Sequence, residues 1–147
     1  MLIIRRMRES DLADVADLEQ NIFTDAWSAR SIKETYEQRQ TLLLVAYEDK
    51  ELIGYVILYY VLEEGEIARI AVKREKRRQG VGARMLLELE ELCEDNGITK
   101  LMLDVRESNE NAVSFYRGYG FQEDGIRQNF YTDPAEDGIL MSRRLGK

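Results

Sequence analysis

The stretch that decides the fold reads Arg77-Arg78-Gln79-Gly80-Val81-Gly82-Ala83, and it separates the apolar run Ile67 to Val72 from the amphipathic segment Met85 to Cys93. This order predicts a strand, a glycine-rich turn and the start of a helix. Glycines let a ligand approach the backbone closely, and the free N–H groups of a helix's first turn favour anions. The stretch therefore predicts a site for a phosphate or pyrophosphate group.

Two common phosphate-binding loops do not match this stretch. A P-loop requires a Gly-Lys-Ser/Thr ending, and the dinucleotide fingerprint requires a third glycine where Met85 stands. The remaining pattern is Arg-x-x-Gly-x-Gly, which by itself also suits an ordinary turn between a strand and a helix. Further motifs are needed to choose between a binding loop and a plain turn.

Length and composition predict one domain spanning residues 1–147, with no repeat, linker or low-complexity segment. The chain has a single cysteine, Cys93, in the apolar phase of a helical pattern, so we expect it in the core and not in a disulfide. The chain contains no histidine, which argues against zinc sites and histidine-dependent nucleophiles. We expect no metal.

The net charge of −7 argues against general nucleic-acid binding, which requires a basic face. No segment approaches the ~20 apolar residues that a membrane-spanning helix needs. We therefore expect a soluble, cytoplasmic protein with no nucleic-acid or membrane partner. A local basic cluster, Lys73 to Arg78, lies beside the glycine turn and is an exception to the acidic balance.

Periodicity along the chain predicts an α/β (α+β) domain in which a sheet of mixed direction is flanked by helices. The predicted helices comprise the segment with Leu12 to Ile22, a segment capped by Ser28, Gly80 to Asp95, and Asn109 to Tyr119. The predicted strands are Leu2 to Arg6, Thr41 to Tyr47, Leu52 to Val61, Glu66 to Lys73, Lys100 to Val105, Phe121 to Arg127 and Gly138 to Arg144.

Several ordered motifs identify a family. The segments Leu103 to Asn109, Ala112 to Tyr116 and Gly118 to Phe121 resemble the consecutive motifs of RimI-type ribosomal-protein-alanine N-acetyltransferases in the GNAT superfamily. Trp27-Ser28 resembles that family's Pro-Trp-Ser, and Asn129-Phe130-Tyr131 with Glu136-Asp137 resembles its C-terminal motifs. The resemblance implies a single-domain GNAT fold whose central sheet splays to form an acetyl-CoA cleft.

The resemblance implies that Asp104 is the general base and Tyr116 the general acid. The family has Glu at the position of Asp104, and a side chain shorter by one methylene withdraws the carboxylate by ~1.5 Å, so a bridging water is expected. Glu66 is the alternative base. From the residues alone, Asp104 also suits a strand-end carboxylate that bonds the backbone, and Tyr116 also suits an aromatic packed on the sheet.

The resemblance also implies the residues that hold acetyl-CoA. The glycine turn would cradle the pyrophosphate through backbone N–H groups, the strand before it and Asn109 would bind the pantetheine arm, and Arg77 would attract the nucleotide phosphate. The expected cofactor-binding residues are Ile70, Ala71, Val72, Arg77, Arg78, Gln79, Gly80, Val81, Gly82, Ala83 and Asn109.

The implied acceptor is a basic protein N-terminus, specifically the N-terminal alanine of a small-subunit ribosomal protein. Trp27, Glu66 and Tyr131 are the expected substrate-binding residues, although Trp27 and Tyr131 also suit core aromatics. Two alternatives stay open from the sequence. One is an acetyltransferase for a small-molecule amine such as a polyamine, and the other is a catalytically weak CoA-binding interaction module.

Overall fold

The computed structural model describes residues 1–132 and 134–146, which form a sheet with helices on both faces. The helices are α1 (Leu12–Ile22), α2 (Ala29–Tyr36), α3 (Val81–Asp95) and α4 (Glu110–Gly118). The strands are β1 (Leu2–Arg6), β2 (Thr41–Glu48), β3 (Glu51–Val61), β4 (Glu64–Val72), β5 (Lys100–Arg106), β6 (Gln122–Thr132) and β7 (Ala135–Arg144).

The strands form one mixed sheet in the order β1-β2-β3-β4-β5-β7-β6. Neighbouring strands are antiparallel except β4 and β5, which are parallel because α3 connects them as a crossover. The predicted mixed direction of the sheet is therefore present, and its single parallel pair lies at the centre.

The core consists of two apolar layers, one on each face of the sheet. In β2, Leu42 and Leu44 pack with α3, whereas Leu43 and Val45 pack with α1 and α2. The central strands are buried on both faces, which explains their continuous apolar sequence. Cys93 is fully buried in the layer under α3, as the sequence predicts, and burial raises the pKa of its thiol to about 12.

The closing hairpin is longer than the sequence predicts. We expected its strands to end at Arg127 and to resume at Gly138, but β6 continues to Thr132 and β7 begins at Ala135. Asn129 has a φ of 53°, and the pairing register shifts between Arg127 and Tyr131. This β-bulge absorbs the extra residues, so pairing resumes where the sequence indicated only a loop.

Candidate active site

The central feature of the candidate site is the divergence of β4 and β5. The two strands pair only from Glu64–Lys100 to Ile67–Leu103, whereas β4 continues to pair with β3 as far as Val72. Ile57 pairs with Arg69 and Leu58 with Ile67, so a β-bulge at Ala68 marks the point of divergence. Beyond it, the backbone groups of β4 that face β5 have no strand partner among the described residues.

This opening places several predicted residues on opposite walls of one cleft. Ile70, Ala71 and Val72 lie on the unpaired part of β4, and Asp104 lies on the facing part of β5. Ala71 is buried and its neighbours are half-buried, so the side chains pack in the core while the main chain lines the cleft. Both expected roles of this segment, packing and main-chain binding, are therefore compatible with its position.

The glycine turn leaves the N-terminus of α3 free for a ligand. Gly80 is the N-cap residue with a φ of 82°, a left-handed conformation that favours glycine, and no side chain caps the helix. The first N–H groups of α3, from Val81 to Ala83, therefore lack intrahelical and side-chain acceptors among the described residues. A phosphate group satisfies this arrangement chemically.

The basic cluster beside the turn is partly engaged in local contacts. Arg77 Nε donates to the carbonyl of Val72 at 2.9 Å, so this side chain fastens the turn to the end of β4. Lys73 pairs with Glu51, and Lys76 with Glu48. The positive charge available to a nucleotide phosphate is thus smaller than the sequence suggests.

Two predicted residues belong to α4 and the turn before it. Asn109 is the N-cap, and its Oδ1 accepts from the backbone N–H of Ala112 at 3.2 Å, which leaves its Nδ2 for another partner. Tyr116 is buried, and its ring packs edge-on against Phe115 and Phe121. Its hydroxyl forms no hydrogen bond with the described residues. Burial raises the pKa of Tyr116, so the phenol is protonated at neutral pH.

Asp104 is a buried carboxylate with one close charged partner. Its side chain is 8% exposed, and Nε of Arg127 on β6 lies 2.8 Å from Oδ1. The N–H bond does not point at that oxygen, so the contact is an ion pair, and Oδ1 receives no hydrogen bond from the described residues. Burial, followed by the charge of Asp104, raises the pKa of Tyr131 to about 12. Tyr131 and Asp104 are therefore electrostatic neighbours.

The sequence did not predict the charged network beside this carboxylate. Glu19 of α1 is fully buried and accepts from Arg69 Nε at 3.0 Å, from the Trp27 backbone N–H at 2.9 Å and from the Tyr55 hydroxyl. Arg69 also donates hydrogen bonds to the backbone carbonyl of Asp25 at 2.9 Å and to the carboxylate of Asp25 at 3.3 Å. The network joins α1, the loop before α2, β3 and β4.

Arg106 of β5 extends the network across the open cleft. Its guanidinium lies 3.7 Å from the Asp25 carboxylate, 3.3 Å from Glu136 and 4.3 Å from the centre of the Tyr131 ring. Asp25 therefore bridges arginines from both diverging strands. One signal for this network was present in the sequence, because Glu19 occupies the apolar phase of α1, where a charged residue requires a partner.

The other predicted acceptor residues lie around this network. The centre of the Trp27 ring is 5.3 Å from the Arg69 guanidinium, and Trp27 and Tyr59 are among the residues that line a pocket of about 450 Å³. Glu66 is exposed and lies in the part of β4 that still pairs with β5. Its partner there is Met102, which precedes Asp104 by two residues. The structure therefore places Asp104 in the cleft and Glu66 at its margin.

The described residues contain no helix long and apolar enough to cross a membrane. Among the same residues, no three His, Cys, Asp or Glu side chains are grouped so that they could hold a metal ion.

Comparison with known proteins identifies the family. The model of the acetyltransferase (GNAT) family matches residues 12–121. A relative from Escherichia coli K12, named [ribosomal protein bS18]-alanine N-acetyltransferase, is 32% identical over 144 residues, which are 97% of each chain. A Bacillus subtilis relative, whose name gives the same activity as a provisional assignment, is 36% identical over 94% of this chain and 92% of its own.

The solved structures agree with these matches. The crystal structure of the ribosomal-protein-S18-alanine N-acetyltransferase from Escherichia coli has a TM-score of 0.92 and 30% identity, and the match covers 100% of this chain and 96% of that one. The fold, the resemblance and the class of enzyme predicted from the sequence motifs are confirmed. The chain belongs to the GNAT acetyltransferase family, whose members use acetyl-CoA as the acetyl donor.

Proposed function

We propose that the protein is an acetyl-CoA-dependent Nα-acetyltransferase for a protein N-terminus, with the N-terminal alanine of a small-subunit ribosomal protein as its acceptor. The observation that carries the proposal is the cleft between β4 and β5, which has unpaired backbone on one wall and a buried carboxylate, Asp104, on the other. The names of the full-length relatives support the choice of acceptor. We further infer that residues 1–147 are one catalytic domain.

The cofactor side of the cleft fits acetyl-CoA, which supplies an acetyl group activated as a thioester. The uncapped N–H groups of Val81 to Ala83 suit the pyrophosphate, and the unpaired main chain of Ile70 to Val72 suits the amides of the pantetheine arm. The Nδ2 of Asn109 is available to the same arm. Arg78, Gln79 and Gly80 complete the turn, and Arg77 holds that turn against β4.

Asp104 is proposed to take the proton of the acceptor ammonium. An ammonium has no free electron pair, so it must lose a proton before nitrogen can attack a carbonyl carbon. Asp104 receives no hydrogen bond from the described residues, so its carboxylate can accept one from the amine or from a bridging water. The shorter side chain, compared with the family's Glu, favours the route through water.

Tyr116 is proposed to stabilise the departing thiolate. Its hydroxyl is protonated and has no described hydrogen-bond partner, so it can donate to sulfur. Because burial raises the pKa of Tyr116, the phenol is a weaker acid than in water. This favours a hydrogen bond to the leaving group over early, complete proton release.

A peptide acceptor is favoured over a polyamine by the charges near Asp104. The carboxylates of Glu19, Asp25, Asp104 and Glu136 all have arginine partners. A polyamine would have to displace these pairs to find counter-charges, whereas a peptide can also use backbone hydrogen bonds. The net charge of −7 still favours the encounter with a basic protein tail over longer distances.

Acetylation of matched acceptors tests this proposal. Peptides that differ only in their first residue, an Nα-blocked peptide and spermidine are incubated with enzyme and acetyl-CoA, and mass spectrometry locates the modified nitrogen. We expect acetyl on the α-nitrogen of the alanine peptide, with a kcat/KM at least about tenfold above that for spermidine, equivalent to about 1.4 kcal/mol. Preference for spermidine would support the small-molecule alternative, and the absence of turnover would support the binding module.

A further inference from the structure

Arg127 reaches the proposed base from the opposite side of an intervening strand. It lies on the edge strand β6, and β7 separates that strand from β5. Arg127 pairs with Gly138 of β7, whereas Asp104 pairs with Leu140, so the two side chains start two residues apart on one face of β7. Gly138 has no side chain to occupy this face.

The contact between Arg127 and Asp104 involves a buried carboxylate oxygen. Arg127 Nε lies 2.8 Å from Oδ1, an oxygen that is itself buried, while the Asp104 side chain is 8% exposed and that of Arg127 is 50% exposed. The Arg127 guanidinium also lies 5.5 Å from the centre of the Phe130 ring. No described residue donates a hydrogen bond to Oδ2.

Other charged and titratable groups face this carboxylate less closely. Tyr131 approaches from β6, and Tyr131 in turn lies near Arg106 of β5, Arg69 of β4 and Asp25 of the loop before α2. Tyr131 also interacts electrostatically with Tyr116 of α4. Arg127 is the only cation for which the described residues show an ion pair with Asp104.

We propose that Arg127 is a positioning residue for the general base. Its guanidinium stabilises the ionised carboxylate in a water-poor site and occupies Oδ1, which leaves Oδ2 to receive the proton. In that transfer one N–H bond of the acceptor ammonium breaks and one O–H bond forms at Asp104, directly or through water. The inference rests on the proposed role of Asp104, and it adds a function for a residue of the edge strand.

The test compares pH profiles of kcat/KM for Arg127→Gln, Arg127→Lys and wild type on one N-terminal alanine peptide. Because all three enzymes act on the same peptide, the titration of the peptide's amine affects the three profiles equally. Because the variant lacks the cation beside the buried carboxylate, the acidic limb of Arg127→Gln is expected at higher pH than that of the wild type. Arg127→Lys, which keeps the charge, is expected to restore most of the wild-type profile.

Arg117→Gln is the matched control. Arg117 also forms an ion pair with a carboxylate of β6, Glu123, but that pair is exposed. The control removes the same charge and is expected to keep the wild-type profile. Thermal melting of each variant confirms that it is folded at the assay pH.

A double variant separates this inference from the assignment of the base. If Arg127 acts through Asp104, then Arg127→Gln should cause no further loss of kcat in an Asp104→Asn background. The proposed role of Arg127 would be overturned, with Asp104 still the base, if Arg127→Gln lowered the rate equally at every pH. In that case Arg127→Lys would show the same loss, and the loss would add to that of Asp104→Asn. Full activity of Asp104→Asn would overturn the proposed base and the role of Arg127 together.

Discussion

The two walls of the cleft are built from different kinds of groups. Apart from the Asn109 side chain, the cofactor side consists of backbone N–H and C=O groups from one continuous stretch, Ile70 to Ala83. The acceptor side consists of charged side chains from α1, the loop before α2, β4, β5, β6 and β7. Backbone groups are fixed by local conformation, whereas the acceptor side exists only when distant segments have folded together.

The largest expected effect is on the acceptor side. Asp104→Asn keeps the size of the side chain but removes its ability to accept a proton, and general bases contribute about 10²–10⁴-fold. We therefore expect kcat on an alanine peptide to fall at least about 100-fold. Steady-state kinetics at saturating acetyl-CoA measures this loss.

Glu66→Gln is the control for that variant. Glu66 is exposed and lies before the divergence of the strands, so its removal should change kcat less than about threefold. A large loss in Glu66→Gln together with a small loss in Asp104→Asn would assign the base to Glu66.

The second prediction concerns the stability of the acceptor side. Arg69→Met leaves the fully buried Glu19 without its cation, and breaking a buried ion pair at one partner costs about 3–5 kcal/mol. Urea unfolding should show a free energy of unfolding lower by about 3 kcal/mol. The control is Arg30→Met, whose pair with Glu34 is exposed and whose loss should hardly move the midpoint. Equal midpoints for the two variants would contradict the importance of the network.

The third prediction concerns the cofactor side. A ligand at a hundredfold excess over its Kd stabilises the folded protein by about 2.7 kcal/mol. Gly82→Val should abolish this gain because a side chain at Gly82 blocks the helix start, where a Cβ already approaches the Phe115 ring at 3.3 Å. Melting curves with and without CoA measure the gain. Gly125→Val is the control, since a Cβ there meets no atom within 4 Å. If a folded Gly82→Val protein were stabilised by CoA as much as the wild type, the glycine turn would not be the CoA-binding site.

These two walls also differ in how well the sequence predicted them. The glycine turn, the strand before it and the cap at Ser28 depend on neighbouring residues, and each was recognised, whereas the capping role of Asn109 was not. The partners of Glu19 and Asp104, in contrast, lie 50 and 23 positions away along the chain, at Arg69 and Arg127. Local periodicity carries no information about such pairs.

The longer hairpin illustrates the same limit. The bulge at Asn129 depends on pairing with β7, and the sequence pattern predicted that the strand ends at Arg127. This error affected the site, because the extended β6 is the element that carries Tyr131 close to Asp104. The motif that contains Tyr131 was recognised, but its place in a strand was not.

The fourth prediction separates acid unfolding from acid loss of catalysis. Burial of Asp11 opposes ionisation, but hydrogen bonds from Arg5, the Arg8 backbone and Tyr47 lower its pKa to about 2. Because the folded pKa lies below the unfolded value, the stabilisation is complete above about pH 4 and is lost as the pH falls toward 2.

The expected loss from Asp11 is about 2 kcal/mol between pH 4 and pH 2. Asp11→Asn should lack this part of the pH dependence when the free energy of unfolding is measured across that range. An acidic limb of activity above pH 5 would then reflect the cleft and not the contacts of Asp11 with β1 and β2. A pH dependence that is identical in the variant and the wild type would contradict this account of Asp11.

The smallest expected effect concerns Tyr116 of α4. Tyr116→Phe keeps the ring packing against Phe121 and removes only the hydroxyl, so kcat should fall at least about tenfold at unchanged acetyl-CoA affinity. Tyr119→Phe removes a hydroxyl that bonds Glu90 and should leave kcat unchanged. An unchanged kcat in Tyr116→Phe, with chemistry rate-limiting, would leave Tyr116 with a packing role.

The independence of the two walls is tested most directly by calorimetric titration of acetyl-CoA into the Asp104→Asn protein. If backbone groups hold the cofactor and side chains perform the chemistry, this inactive variant binds acetyl-CoA with a Kd within about twofold of wild type, a difference of about 0.4 kcal/mol. A Kd weakened by about tenfold or more, in a variant that melts like the wild type, would contradict the account.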